Sequence, residues 1–95
     1  MPMTFVARFR IKPEKEADFL VLIPKIEAIS AEETHTLAYK FYRLDEPNMF
    51  AVLESFTDEA ADIAHQQNPK TVALIDDIIA CMDGTYTREY LRDIG

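Results

Sequence analysis

Ninety-five residues, 48% of them apolar and 28% charged, fit one ordinary folded unit, expected as a single domain over 1–95, and exclude intrinsic disorder. Seventeen acidic residues against ten basic leave a charge of −7, a field that repels a phosphate backbone and argues against nucleic acid as a partner. No apolar run approaches the roughly 18–20 residues of a membrane span, so no membrane association is expected.

The opening Met-Pro-Met-Thr lacks the basic and apolar regions of a secretory leader. Cys81 stands alone, without an internal disulfide partner, and the expected location is the cytoplasm. Residues 3–11, MTFVARFRI, alternate with Met3, Phe5, Ala7, Phe9 and Ile11 on one face and Val6, Arg8 and Arg10 on the other. Period two over nine residues predicts a strand. Pro13 then opens a helix with Glu14 and Glu16 in its first turn, where the dipole favours acids. Its apolar positions are Phe19, Leu22 or Ile23, Ile26 and Ile29, and Pro24 is expected to kink it near Leu20.

The segments 35–44, HTLAYKFYRL, and 49–56, MFAVLESF, flank Asp45-Glu46-Pro47-Asn48 and predict a hairpin. With a four-residue loop, Leu44 faces Met49, Tyr39 lies opposite Glu54, and Phe41 lies opposite Val52, on one face with Leu37 and Phe56. Thr57 or Asp58 caps a short helix, DEAADIAHQQ. Asn68-Pro69 reads as the N-cap and first residue of another, 69–83, with Val72, Ile75, Ile78 or Ile79 and Met82 inward and Gly84 at C′. A last strand is expected over 85–94, TYTREYLRDI.

The order β-α-β-β-α-β predicts an α+β fold of the ferredoxin-like split βαβ type: a four-stranded antiparallel sheet with its helices on one face. The other face would carry Val6, Ala38, Tyr42, Leu44, Ala51 and Leu53, threaded with Arg8, Arg10 and Lys40. A second copy of the sheet is the economical cover, so a homodimer through this face is expected.

Among residues that carry chemistry, His65 is suited to taking a proton from a phenol or enol near neutral pH; the alternative is that it packs and bonds a nearby backbone carbonyl, or helps close the helix. Glu54 stands in an otherwise apolar strand opposite Tyr39, which places a carboxylate beside a phenol. The alternative for Glu54 is a structural bond to Tyr39, or to Arg8 or Arg10 of a second copy. His35, His65 and Glu54 can be written as a two-histidine, one-carboxylate set, but no spacing supports it and no metal is expected. Cys81 reads as a small buried hydrophobe, and Asp76 and Asp77 as a solvated face. Two glycines leave no room for a dinucleotide fingerprint or a P-loop, and Ser30 and Ser55 lack a nucleophile-elbow context. Phe5, Phe9, Tyr39, Phe41, Phe50 and Phe56 form an aromatic set that suits both a core and the walls around a flat ligand.

The opening FVARFRIKPEKEADFL, the strand end AVLESF and the run TDEAADIAHQQNP resemble, in order and spacing over nearly the whole chain, the antibiotic biosynthesis monooxygenase family. In that pattern a strand ending Glu-x-aromatic precedes an acidic helix closing on Ala-His, then a polar-Pro step. Here these are Glu54-Ser55-Phe56, Ala64-His65 and Asn68-Pro69. The resemblance implies a dimeric α/β barrel with a pocket between each sheet and its helices. It implies activities that include cofactor-independent oxygenation of quinols and polyphenols, and heme degradation, while wider relatives include isomerases and ligand binders. The positions that hold Asn, Trp and His in heme-degrading members hold Ala7, His65 and Ile75 here, in a chain without Trp, which argues against a heme role.

The reading that follows is a monooxygenase, without cofactor, acting on a small aromatic substrate and O2. His65, Tyr39 and Glu54 form the catalytic set, and Phe5, Ala7, Phe9, Phe41, Val52, Phe56 and Ile75 surround the substrate. The alternatives are a proton-transfer isomerase or tautomerase and a non-catalytic dimer that binds a small ligand.

Overall fold

A computed structural model describes residues 2–95; Met1, the first residue of the expected domain, lies outside the described residues. Strand β1 (Met3–Arg10) leads through a 3-10 turn (Pro13–Lys15) into helix α1 (Glu16–Ala31). The hairpin β2 (Thr36–Arg43) and β3 (Met49–Phe56) follows, then α2 (Glu59–Gln67), α3 (Pro69–Cys81) and β4 (Thr87–Leu91). The sheet order is β2-β3-β1-β4, every pairing antiparallel, which is the ferredoxin-like α+β arrangement.

Register decides which side chains meet. Phe5, Ala7 and Phe9 of β1 pair with Glu54, Val52 and Phe50 of β3 and turn the alternating apolar set of both strands toward the helices. The hairpin closes as its loop length predicts: the Leu44 N–H donates to the Met49 carbonyl at 3.0 Å, and Asn48 supplies the left-handed turn residue at φ 63°. Tyr39 then faces Glu54 and Phe41 faces Val52. One expectation fails at the start of β2. A bulge between Thr36 and Ala38 sets Thr36 opposite Phe56, so Leu37 leaves the inner face and is 56% exposed.

Helix α1 runs through the exposed Pro24 and buries Phe19, Ile26 and Ser30. Its Glu27 carboxylate accepts the Phe41 N–H at 2.9 Å, so the helix satisfies an amide of the edge strand β2. Asp58 caps α2 by accepting the Ala61 N–H at 2.8 Å. Asn68 caps α3 by accepting the Lys70 N–H at 3.0 Å, with Pro69 as its first residue.

In α3 the expected Ile75, Ile78 and Met82 pack in the core, and Val72 alone does not. Thr71, Ile78 and Cys81 point inward, while Val72 and Ile79 are exposed. The Thr71 hydroxyl donates to the His65 carbonyl at 2.8 Å, and this bond at the α2–α3 junction turns Thr71 inward in place of its apolar neighbour. The helix also stops two residues early, because Met82 is extended and bridges to Ile11 while the Asp83 N–H donates to the Arg10 carbonyl. Gly84, at φ 91°, therefore lies one residue beyond C′. β4 is likewise shorter than 85–94.

On the outer sheet face the register places Val6, Ala38, Tyr42, Ala51, Leu53 and Leu91; Leu44 lies in the turn after β2. Arg8 pairs there with Glu89 and Arg10 with Glu46, each at 3.0 Å, in exposed ion pairs that contribute little to stability. Among the described residues no helix is long and apolar enough to cross a membrane.

Phe19 ties α1 to the sheet: it is fully buried, with ring centroids 4.8 Å from Phe50, 5.7 Å from Phe9 and 5.8 Å from Phe41. Phe19→Ala should cost about 3–5 kcal/mol in denaturant unfolding, whereas Leu20→Ala, one position round to the exposed side, should cost about 1 kcal/mol or less. Equal losses would show that this contact does not anchor the helix.

Candidate active site

Between the sheet and α2–α3 lies a cavity of about 230 Å³. Of the residues assigned from sequence, His65, Tyr39, Glu54, Ala7, Phe9, Phe41, Val52 and Ile75 line it. Phe5 and Phe56 do not; both are fully buried behind the wall. Phe56 packs 5.4 Å from the His65 ring, and Phe5 lies beneath a guanidinium, so each supports a polar lining group. The cavity also takes in Gln66, Met82, Tyr86 and Arg88, which sequence reasoning missed.

His65 sits in the last turn of α2 and is almost wholly buried. Its Nδ1 lies 2.7 Å from Glu33 Oε1, and Glu33 also accepts from the Thr36 hydroxyl at 2.9 Å and from the Asn68 amide at 2.8 Å. Burial alone would raise the Glu33 pKa, but the bonds from Asn68, His65 and Thr36, with the charge on His65, outweigh it and hold the carboxyl below its ordinary range. An ionised carboxylate accepts only, so Nδ1 carries the proton and Nε2 is left as the basic nitrogen. Tyr39 packs against the same imidazole, ring centroids 4.8 Å apart.

Glu54 and Tyr39 form the neighbouring wall. Neither side chain makes a hydrogen bond among the described residues, and His65 Nε2 makes none either. Among those residues the one sealed side-chain polar atom without a partner is Ser30 Oγ, so these three groups open to accessible space, and all three line the cavity. Burial pushes the Glu54 carboxyl up to about 8, with Arg88 drawing it down and Asp62 raising it by lesser amounts. Burial, then the charges of Glu54, Glu33 and Glu27, push the Tyr39 phenol above its ordinary range. At neutral pH the wall thus presents a carboxylic acid and a phenol, both able to donate, beside the His65 ring.

Arg88 is the arginine at the cavity; Arg8 and Arg10 lie on the outer face. It pairs with Ala7 across β4 and β1, donates to Asp62 at 3.1 Å, and rests 4.1 Å above the Phe5 ring. Period two in Tyr86-Thr87-Arg88-Glu89-Tyr90 was the available signal for it. Glu33, in contrast, lies in the α1–β2 loop, where no periodicity points to a distant histidine. His35 is exposed and does not line the cavity; it lines a surface depression on the far side of His65 and Glu33, which line that depression too. Among the described residues no group of three or more His, Cys, Asp or Glu is placed to hold a metal ion.

The fold and site thus define a small ferredoxin-like α+β protein with a ligand-sized cavity between sheet and helices. The family model for antibiotic biosynthesis monooxygenases matches residues 2–76, and the chain belongs to that family. Among solved structures, one antibiotic biosynthesis monooxygenase is 23% identical with a TM-score of 0.90, the match covering 98% of this chain and 99% of that one. A conserved protein from Methanosarcina mazei is 22% identical with a TM-score of 0.88, covering 97% and 92%. SnoaB, a cofactor-independent oxygenase from Streptomyces nogalater solved as a mutant, is 19% identical with a TM-score of 0.81, covering 99% and 95%. At these identities the likeness establishes a shared fold. No curated protein matches the chain significantly.

The raised Glu54 pKa carries a sign. The folded state holds a proton that the unfolded chain releases, so this contribution to stability is complete below the ordinary carboxylate range and is lost as pH rises toward about 8. Glu33 has the opposite sign, its contribution being lost as pH falls through its depressed value. Between about pH 5 and pH 8, wild-type stability in urea should therefore fall more steeply than that of Glu54→Gln. Parallel slopes would show that Glu54 is already ionised at neutral pH.

Proposed function

We propose that this protein is a monooxygenase that oxidises a quinol or polyphenol with O2 in the cytoplasm, without a metal or organic cofactor. The observation that carries the reading is His65, a buried imidazole on an aromatic cavity wall, with Nδ1–H held by Glu33 and Nε2 free. A phenolic hydroxyl at Nε2 gives up its proton, and Glu33 stabilises the imidazolium that forms. The electron-rich anion passes one electron to O2, and the radical pair recombines into a carbon–oxygen bond. The imidazolium returns its proton as the hydroperoxide loses water to leave a carbonyl. The substrate loses two hydrogens and gains one oxygen, and the second oxygen leaves as water, so the substrate supplies all the electrons. The walls exclude water and hold the ring, while Tyr39 and the protonated Glu54 donate to the developing oxyanion.

Oxygen uptake by metal-stripped, flavin-free protein with hydroquinones and polyphenols tests this directly. His65→Ala should lower turnover roughly tenfold or more without unfolding the protein. Glu33→Gln should do the same with His65 still present, because a neutral amide no longer stabilises the imidazolium that forms. Equal turnover in folded His65→Ala would remove His65 as the base, and proton exchange or isomerisation that proceeds without O2 would replace oxygenation as the reaction.

We also infer that a second copy covers the outer sheet face. That face joins Val6, Tyr42, Ala51, Leu53 and Leu91, and apolar area of this kind is characteristic of an interface. Sedimentation should give a dimer for the wild type and a monomer for Leu53→Glu; a wild-type monomer would overturn the assignment.

A further inference from the structure

Helix α2 is held to the fold in a way that the other two helices are not. Helix α1 buries Phe19 and Ile26, and α3 buries Ile78 and Cys81. The buried residues of α2 are Asp62 and His65, both polar, while Ile63 is 46% exposed and Ala61 is half-buried. Among the described residues three side-chain hydrogen bonds join this helix to other elements. Asp62 accepts from Arg88 at 3.1 Å, His65 Nδ1 donates to Glu33 at 2.7 Å, and the His65 carbonyl accepts the Thr71 hydroxyl at 2.8 Å. Apolar packing adds Ala61 against the core, and the His65 ring against Tyr39 and Phe56.

The two kinds of anchor differ when an element lifts away. A phenylalanine or isoleucine that returns to water loses its whole burial free energy. The partners of a buried ion pair regain the hydration that pairing had cost them, which offsets much of the attraction they give up. Lifting α2 is therefore cheaper than lifting α1 or α3. Its ends suit such a movement, because Asp58 and Asn68, which flank it, are extended and leave α2 continuous with neither β3 nor α3. The helix is also a thin wall. Gln66 and Arg88 line both the cavity and a surface depression along one flank of α2. His65 lines both the cavity and the depression on the opposite flank. We propose that α2 is a hinged cover, latched by the Asp62–Arg88 and His65–Glu33 pairs, which opens while the sheet, α1 and α3 stay folded and so admits a ligand. Closure also orients His65, because Nδ1 meets Glu33 only when α2 is seated. The gate is independent of the reaction that the cavity carries.

Native-state hydrogen exchange in low urea, resolved by residue, tests the movement. Amides of α2 should exchange roughly tenfold or more faster than those of β1 and β3, through one shared opening. Ile26→Val, at a fully buried position of α1, should speed β1 and β3 exchange about two- to tenfold and leave α2 unchanged. Asp62→Asn removes a latch from the closed state alone, and should speed α2, β1 and β3 alike by roughly tenfold or more. Access is read from Val52→Cys, a thiol on the cavity wall, labelled with N-(1-pyrenyl)maleimide in a Cys81→Ala background. Labelling should rise roughly tenfold in Asp62→Asn and in Glu33→Gln, and stay unchanged in Ile26→Val. The gate is overturned if α2 amides exchange as slowly as those of β1, if Ile26→Val speeds them equally, or if Asp62→Asn leaves them unchanged. It is equally overturned if labelling ignores both latch variants, which would place ligand entry at a standing mouth, or if labelling follows Ile26→Val, which would place it in global unfolding.

Discussion

The carboxylate of Glu33 is the joint on which the site depends. It accepts from His65, Thr36 and Asn68, and so ties the α1–β2 loop to the first residue of β2, to the end of α2 and to the cap of α3. Each partner is held in turn. Asn68 also caps α3, Thr71 donates to the His65 carbonyl, and Phe56 and Tyr39 pack on the imidazole. A partly buried carboxylate with three donors is favourable because the bonds outweigh its desolvation, which is why its pKa lies low although burial pushes the other way. One charged group thereby fixes the tautomer of a histidine and the meeting point of four elements.

The second constraint is the hairpin register, and it was legible in the chain. A four-residue loop with Asn48 in the left-handed region leaves one pairing, and that pairing sets Tyr39 against Glu54 and Phe41 against Val52. The strands were legible for the same reason: period two in MTFVARFRI and MFAVLESF separates an inner face from an outer one. What the pattern missed follows from forces it does not encode. The bulge that turns Leu37 outward is a local backbone event at the strand end. The inward place of Thr71 instead of Val72 in the first turn of α3 comes from a hydrogen bond across a helix junction. Arg88 belonged to a short, weakly apolar strand, and Glu33 to a loop, and both reach the site only once the chain is folded.

Electrostatics inside the molecule runs against the composition. The chain is acidic overall, yet its cavity wall presents an acid held protonated, a phenol and an imidazole, with its one guanidinium neutralised by a buried aspartate. The exposed ion pairs of Arg8 and Arg10 lie on the other side of the sheet and contribute little. Sheet alternation therefore separates the basic residues of one strand from the site that its inner face helps to build.

Glu54 shows why such a wall is kept. A carboxyl nine-tenths buried and without a hydrogen-bond partner is a net cost to the folded state, and an apolar residue would pack between Phe5 and Tyr39 without it. Protonation lessens the cost by removing the charge, and within the protein the acid finds no hydrogen-bond partner. A ligand hydroxyl seated there would supply one. Because such a ligand binds only the folded chain, its affinity adds directly to stability, and the group that weakens the empty protein strengthens the occupied one. On the proposed reading the cost at Glu54 is coupled to occupancy of the cavity, which a purely structural carboxyl, paired within the protein, would not be.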